Sequence, residues 1–232
     1  MTILMLFLYL AITATLLTVF MYYFSGSVKS AYTSFLQNFC GSLFVFSGFV
    51  KAVDPMGTAI KMQEYFEEFE TTAKGSFLHF IADLFPVLAK YSMGFSVGMI
   101  VLEIVIGILL IIGHLPRWTS FLFFIIMVFF TILTGFTFLT AYVPKEANFF
   151  EFSKWTVFSE SNMRVTNCGC FGDFLKLTPE TSFKKDIFLM LPSVLFLLIW
   201  RKFHTLFSIS LRNAITLFSI VGLSLFCLAN YK

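Results

Sequence analysis

An all-α integral membrane protein of about six transmembrane helices, with short interfacial helices between them, is the fold class this sequence predicts. Three observations predict it. Charged residues make up 12% of the chain, half the share of about 25% found in soluble domains. Mean hydropathy is +0.88. Apolar stretches close to the length of about twenty residues that a helix needs to cross a bilayer recur along the chain. Phe fills 34 of 232 positions, a bulk that suits lipid-facing surfaces and carries no functional reading. The net charge of +3 is small and its basic residues are dispersed, which excludes nucleic acid as a partner. The partner that composition implies is the lipid bilayer.

The spans fall near Ile3–Phe24, Phe35–Val53, Tyr91–Ile112, Trp118–Tyr142, Asp186–Trp200 and Ala214–Ala229. The first lacks the basic n-region of a cleaved signal peptide and reads as a retained helix. The fifth is short, but its helix is expected to begin earlier, at Pro179: Thr178 is a good N-cap and a proline suits the first helical turn. Pro192 should kink it. Gly94-x-x-x-Gly98 and Gly48-x-x-x-Ala52 have the spacing of small residues that lets membrane helices approach closely.

Orientation follows from basic residues in short loops. The loops near 25–34, 113–117 and 201–213 hold Lys29, Arg117, Arg201, Lys202 and Arg212 and no acidic residue. That side is expected to be cytoplasmic. Both termini and the two long loops then face outward, which for a bacterial inner membrane is the periplasm, where disulfides persist.

The first long loop opens on Asp54-Pro55, an N-cap followed by a first-turn proline. Ile60, Tyr65, Phe66 and Phe69 alternate with Glu64, Glu67, Glu68 and Glu70, and a second apolar run follows Gly75. Two short amphipathic helices on the membrane surface are expected, as a lid on the bundle or as a docking face for a soluble partner. In the second long loop Phe149, Phe150, Phe152, Trp155 and Phe158 resemble an interfacial aromatic belt.

That second loop carries Cys168-Gly169-Cys170 inside Asn167–Asp173. Metal binding needs about four ligands at suitable spacings; only His79 could join from this side, so no metal site is expected. No CxxCH haem attachment sequence is present, and no covalently bound cofactor is expected. Disulfide chemistry fits better. A Cys-Gly-Cys disulfide closes a tight ring that Gly169 makes feasible, and strained disulfides are the more oxidising and labile ones. Arg164 and Lys176 are near enough in sequence to favour a thiolate. The alternative is a static bond, within the pair or from one of its members to Cys227, which could otherwise act as a resolving thiol. Cys40 reads as buried packing.

Glu103 is the one acidic residue near the middle of a span, a costly and often functional placement. Protonation or hydrogen bonding is expected there. Ser47, Ser96, Thr131 and Thr134 are candidate partners, and Lys51 the nearest countercharge, placed several ångströms higher by its span position. Proton relay and structural hydrogen bonding both remain open.

The segments SGFVKAVDP (Ser47–Pro55), LEIVIGILLIIGH (Leu102–His114) and NCGCFGD (Asn167–Asp173) resemble the DoxX-like and MauE membrane proteins of bacteria. The resemblance implies a four-helix membrane bundle over 35–200, with an extra helix in 1–34 and another in 201–232, and longer relatives imply that an extramembrane domain could follow Lys232. It implies association with redox processes: maturation of a disulfide-rich periplasmic dehydrogenase subunit for MauE-type members, quinone-coupled sulfur oxidation for DoxX-type members. The matching positions are Lys51, Asp54, Glu103, Cys168 and Cys170.

Two functions compete. In the first, Cys168 and Cys170 cycle between dithiol and disulfide, with Glu103 and Lys51 as further site residues, and pass electrons between a periplasmic protein and a membrane carrier for which a quinone is the candidate. In the second, the protein is a structural or accessory subunit of a larger membrane complex and the cysteines form a static brace; the lack of a second cysteine pair favours it. The residues leave open whether the chain is an enzyme.

Overall fold

The computed structural model describes residues 2–24, 28–165, 169, 171–172 and 174–231. Among them there are eight α-helices and no strand: α1 (Ile3–Phe24), α2 (Ala31–Val53), α3 (Pro55–Lys74), α4 (Leu84–Lys90), α5 (Ser92–Ile112), α6 (Pro116–Thr140), α7 (Pro179–Ile199) and α8 (Ile209–Ala229). α1, α2, α5, α6 and α8 are long and apolar enough to cross a membrane, and the chain is a multi-pass integral membrane protein. The predicted fifth span, α7, is long enough but falls short of that apolar standard, because Glu180, Lys184, Lys185 and Asp186 fill its first two turns. It packs along α6.

Local chemistry sets the helix starts. Ser30, Thr178 and Ser208 cap α2, α7 and α8 through side-chain oxygens that accept from the backbone N–H three residues on, satisfying donors that the helix leaves free. Asp54 accepts from Gly57 N at 2.9 Å, with Pro55 at the first position of α3. Pro192 lies buried inside an unbroken α7.

α2 and α5 form one close antiparallel pair, and α6 and α7 the other. At the first contact the backbones touch: a Cβ on Gly41 would lie 2.7 Å from the Gly107 carbonyl oxygen, and one on Gly107 equally close to that of Gly41. Higher up, a Cβ on Gly48 would meet Ile104 Cγ1 at 2.5 Å, and Ala52 is fully buried. The expected Gly94 and Gly98 contact is not made; both face open space. Helix spacing motifs do not say which face meets protein, and here the packed face is that of Gly107. α1 lies on α2 and α8 on α5; Cys227 is the one buried residue of α8, as befits a peripheral helix.

The basic turns gather at one end. Lys29 Nζ donates to Arg201 O at 3.1 Å, and Arg212 to Gly113 O at 3.1 Å. His204 is fully buried there; its Nε2 meets Ile111 O at 2.8 Å, and its backbone N–H donates to Gln37 Oε1 at 3.1 Å. Gly113 has φ +66°, and a Cβ there would overlap His204 O.

The opposite end carries the long connections, where two expectations change. The first amphipathic segment is one helix of 20 residues, α3, packed on α5 with Met62, Tyr65 and Phe66 buried; Tyr65 Oη and Thr137 Oγ1 are 2.7 Å apart. Much of its apolar face meets protein. The second segment is a 3-10 turn, His79–Ile81, followed by the short α4. Of the aromatic belt, Phe149 turns inward onto Phe136 with ring centroids 5.2 Å apart, whereas Phe152 is 65% exposed.

Candidate functional site

A cavity of about 40 Å³ with a mostly apolar lining lies between α2, α5, α6 and α7, roofed by α3 and by the segment around Gly169 and Phe171. Among the described residues, five charged ones line it: Lys51, Lys61, Glu103, Lys185 and Asp186.

Lys51 and Glu103 are 6% and 2% exposed, and Lys51 Nζ lies 2.5 Å from Glu103 Oε2. The same ammonium donates to Ser47 Oγ at 3.2 Å, one turn back on α2, and stands 4.9 Å from the centroid of the Phe130 ring. The contact depends on Gly48, whose missing side chain lets α2 lie against Ile104 of α5. The spans do not begin at one level. Ser96 Oγ donates to Pro55 O at 2.9 Å, so α5 has already run a full turn before it meets the end of α2. That offset lowers Lys51 to the depth of Glu103, where the sequence placed it higher.

Asp186 and Lys185, on α7, supply a second pair that sequence reasoning missed. Asp186 is fully buried; its Oδ2 accepts from Thr134 Oγ1 at 2.9 Å, and Lys185 Nζ lies 2.7 Å from Oδ1. The Lys185 ammonium is 5.3 Å from the centroid of the Phe171 ring. Placing an ion in a low-dielectric interior costs several kcal/mol, about, even after relaxation, and ionisable groups at membrane depth mark functional sites by default. Two such pairs around one cavity are more than packing requires. The available signal was the Lys185-Asp186 doublet two turns into a helix whose start at Thr178 was legible.

Of the predicted site residues, the structure brings Lys51 and Glu103 together. Cys168 and Cys170 lie outside the described residues. Gly169, between them in the chain, and Phe171, next after them, line the cavity. Gly169 has φ +65°, and a Cβ there would stand 3.4 Å from Lys61 Cγ of α3; Lys61 Nζ in turn pairs with Glu64 at 2.6 Å. Among the candidate partners of Glu103, Ser47 joins through Lys51. Ser96, Thr131 and Thr134 each lie within hydrogen-bond reach of a backbone carbonyl, and Thr134 Oγ1 is equally 2.9 Å from Asp186 Oδ2. Arg164 donates to Ala147 O at 2.6 Å and lies 3.7 Å from Glu68. Cys227 is a free thiol packed with Ala52, Ile100 and Ile104. Cys40 is free and fully buried.

A second hollow, apolar and about 610 Å³, opens between the α3–α4 connection, α6 and the second long loop. Phe69, Phe85, Phe136, Phe149, Phe150 and Phe183 supply its rings, and Thr72 and Thr131 its hydroxyls.

Fold and site together define a multi-pass helical membrane protein with ion pairs buried in its bundle. The chain belongs to the MauE family: the family described as "Methylamine utilisation protein MauE" matches residues 29–144, half of the chain. That stretch runs from the approach to α2 to just past α6, so it includes Lys51 and Glu103 and ends before the cysteine motif and α7. No curated protein and no solved structure matches the chain.

Proposed function

We propose that this protein is a thiol–disulfide redox protein of the bacterial inner membrane, with Cys168, Cys170 and both termini on the periplasmic side. The observation that carries this reading is the position of Gly169. The residue between the two cysteines lines the cavity that holds Lys51 and Glu103, so the motif is adjacent to buried acid–base groups. The DoxX-like resemblance of the three motif segments adds quinone-coupled chemistry to the accessory role that the MauE family name suggests.

In the forward step two S–H bonds break and one S–S bond forms. A quinone, the membrane carrier, accepts the two electrons and two protons and becomes a quinol. The disulfide is reduced again by exchange with a dithiol of a periplasmic protein, which leaves oxidised. The apolar hollow suits the isoprenoid tail of such a carrier, since pockets of about 300–1,000 Å³ take ligands of this size. Of its two hydroxyls, Thr131 is a poor donor to a quinone head group, because it already donates to Met127 O.

The accessory-subunit reading, with the pair as a static brace, has its own support. Cys40 and Cys227 are buried in separate apolar clusters, so neither is placed to serve as a second redox pair. Cys170→Ser in native membranes separates the two. A cycling pair yields a mixed disulfide between Cys168 and a periplasmic protein, lost in the double Cys→Ser variant. A pair that stays oxidised under strong reductant, with single variants less stable and no adduct, establishes the brace. A membrane-impermeant maleimide should label the reduced pair from the periplasmic side; labelling only after inner-membrane lysis reverses the orientation.

A further inference from the structure

The basic end of the bundle carries a pocket that the redox reading does not use. It lies between the first turns of α6 and the end of α7 and has a volume of about 390 Å³. Arg117, Trp118, Ser120, Phe121, Leu197 and Trp200 line it. Because α6 is long and apolar enough to cross a membrane, its first turn stands at headgroup level, where tryptophans concentrate.

The pocket is rich in donors that nothing in the protein uses. Among the described residues no acceptor meets the Arg117 guanidinium or the indole N–H of Trp118 and Trp200, whereas Trp155 at the other end donates to Phe149 O at 3.0 Å. Arg201 adds a second guanidinium at the rim, 5.2 Å from the centroid of the Trp200 ring. The three loops at this end hold five basic residues and no acidic one. Lys29 and Arg212 are turned onto backbone carbonyls, which leaves no carboxylate in these loops to neutralise the arginines. Arginine's planar fork matches the oxygens of a phosphate, and an indole N–H can only donate.

The chemistry below the pocket is apolar. A groove of about 440 Å³ runs between the same two helices, lined by Thr131 of α6 and by Ile187, Leu191, Val194 and Leu198 of α7. Leu198, in the groove, is the chain neighbour of Leu197, in the pocket. An anionic head with an acyl chain beneath it fits both. A zwitterionic choline head fits less well, since Arg201 already covers the Trp200 ring that would attract a quaternary ammonium.

We propose that this pocket binds the phosphodiester of an anionic phospholipid, held by Arg117 and the two indoles, with one acyl chain lying in the groove between α6 and α7. The site stands apart from the cysteine motif and does not rest on the thiol–disulfide reading. Lys202, exposed at the same end but outside the pocket, serves as the control for diffuse charge attraction.

The test is tryptophan quenching in the full chain, with Trp155→Phe leaving Trp118 and Trp200 as the emitters. Vesicles hold one phosphatidylglycerol in ten among phosphatidylcholine, and only the phosphatidylglycerol is brominated in its chains. Random contact gives about a tenth of maximal quenching; a preference of about fivefold, the scale of one basic residue at an anionic lipid surface, raises it to about a third. Arg117→Gln should return it to about a tenth, whereas Lys202→Gln and added inorganic phosphate should leave it near a third. A second readout needs no background variant: mass spectrometry of the wild-type chain released from micelles should find one retained phosphatidylglycerol, lost in Arg117→Gln. Quenching of a tenth without the substitution, together with no retained lipid, overturns the proposal. So does equal loss in Lys202→Gln, which means diffuse attraction only, or displacement by inorganic phosphate, which means a site for the free anion.

Discussion

Lys51 and Glu103 stand 52 positions apart in the chain, yet their charged atoms are 2.5 Å apart. They meet because α2 and α5 touch through glycine and because α5 starts more than a turn before α2 ends alongside it. The pair is nearly dry, with side chains 7% and 3% exposed, so each charge depends on the other.

That dependence predicts an asymmetric double-mutant cycle. Glu103→Gln or Lys51→Met alone should cost about 3–5 kcal/mol, the penalty of leaving one buried charge unpaired. The double variant should cost clearly less than the sum, because two apolar or neutral groups of similar size leave nothing stranded. Unfolding in detergent micelles measures it. Additive losses would mean that the two groups do not act as a pair.

The glycines of the bundle should divide into two classes. Gly41→Ala and Gly107→Ala push a methyl into a facing carbonyl oxygen, and overpacking of this kind costs about 1–3 kcal/mol. Gly94→Ala and Gly98→Ala meet open space and should be neutral or stabilising by up to about 1 kcal/mol, since alanine gives up less backbone freedom in a helix. The same micelle unfolding assay compares all four; equal losses at the two sites would show that Gly94 and Gly98 also meet protein.

The basic end should lose stability in mild acid. Burial holds His204 below the ordinary value of 6.5, with the Ile111 carbonyl pulling the other way, and His114 is held down by burial and by the Arg212 charge. As pH falls below 6.5 the unfolded chain takes up a proton before the folded chain does, so the unfolded state is favoured and stability declines toward the folded pKa. Protonating His204 would also place a second ring N–H at Nδ1, which has no partner among the described residues. The midpoint of thermal unfolding should therefore drop between about pH 7.5 and about pH 5.5. His204→Gln, which keeps a donor for Ile111 O, should flatten part of that slope; an unchanged slope would place the acid sensitivity elsewhere.

Hydropathy and capping chemistry determined the membrane class, the helices and most of their starts, because these depend on segments of the chain taken singly. Thr178-Pro179 marks the start of α7 in the sequence as clearly as it does in space, and Glu103 stood out as a charge at membrane depth. The partners of those charges were decided only by tertiary structure. Gly94 and Gly107 look alike along one helix, and which of them meets a neighbour depends on how α5 is rotated. Lys185 and Asp186 read as the polar edge of a span because hydropathy scores transfer into lipid, whereas the structure buries them in protein against Thr134 and Phe171. Depth in a bundle is likewise a relation between helices, and the offset of α5 against α2, invisible to either segment alone, is what makes Lys51 and Glu103 a pair.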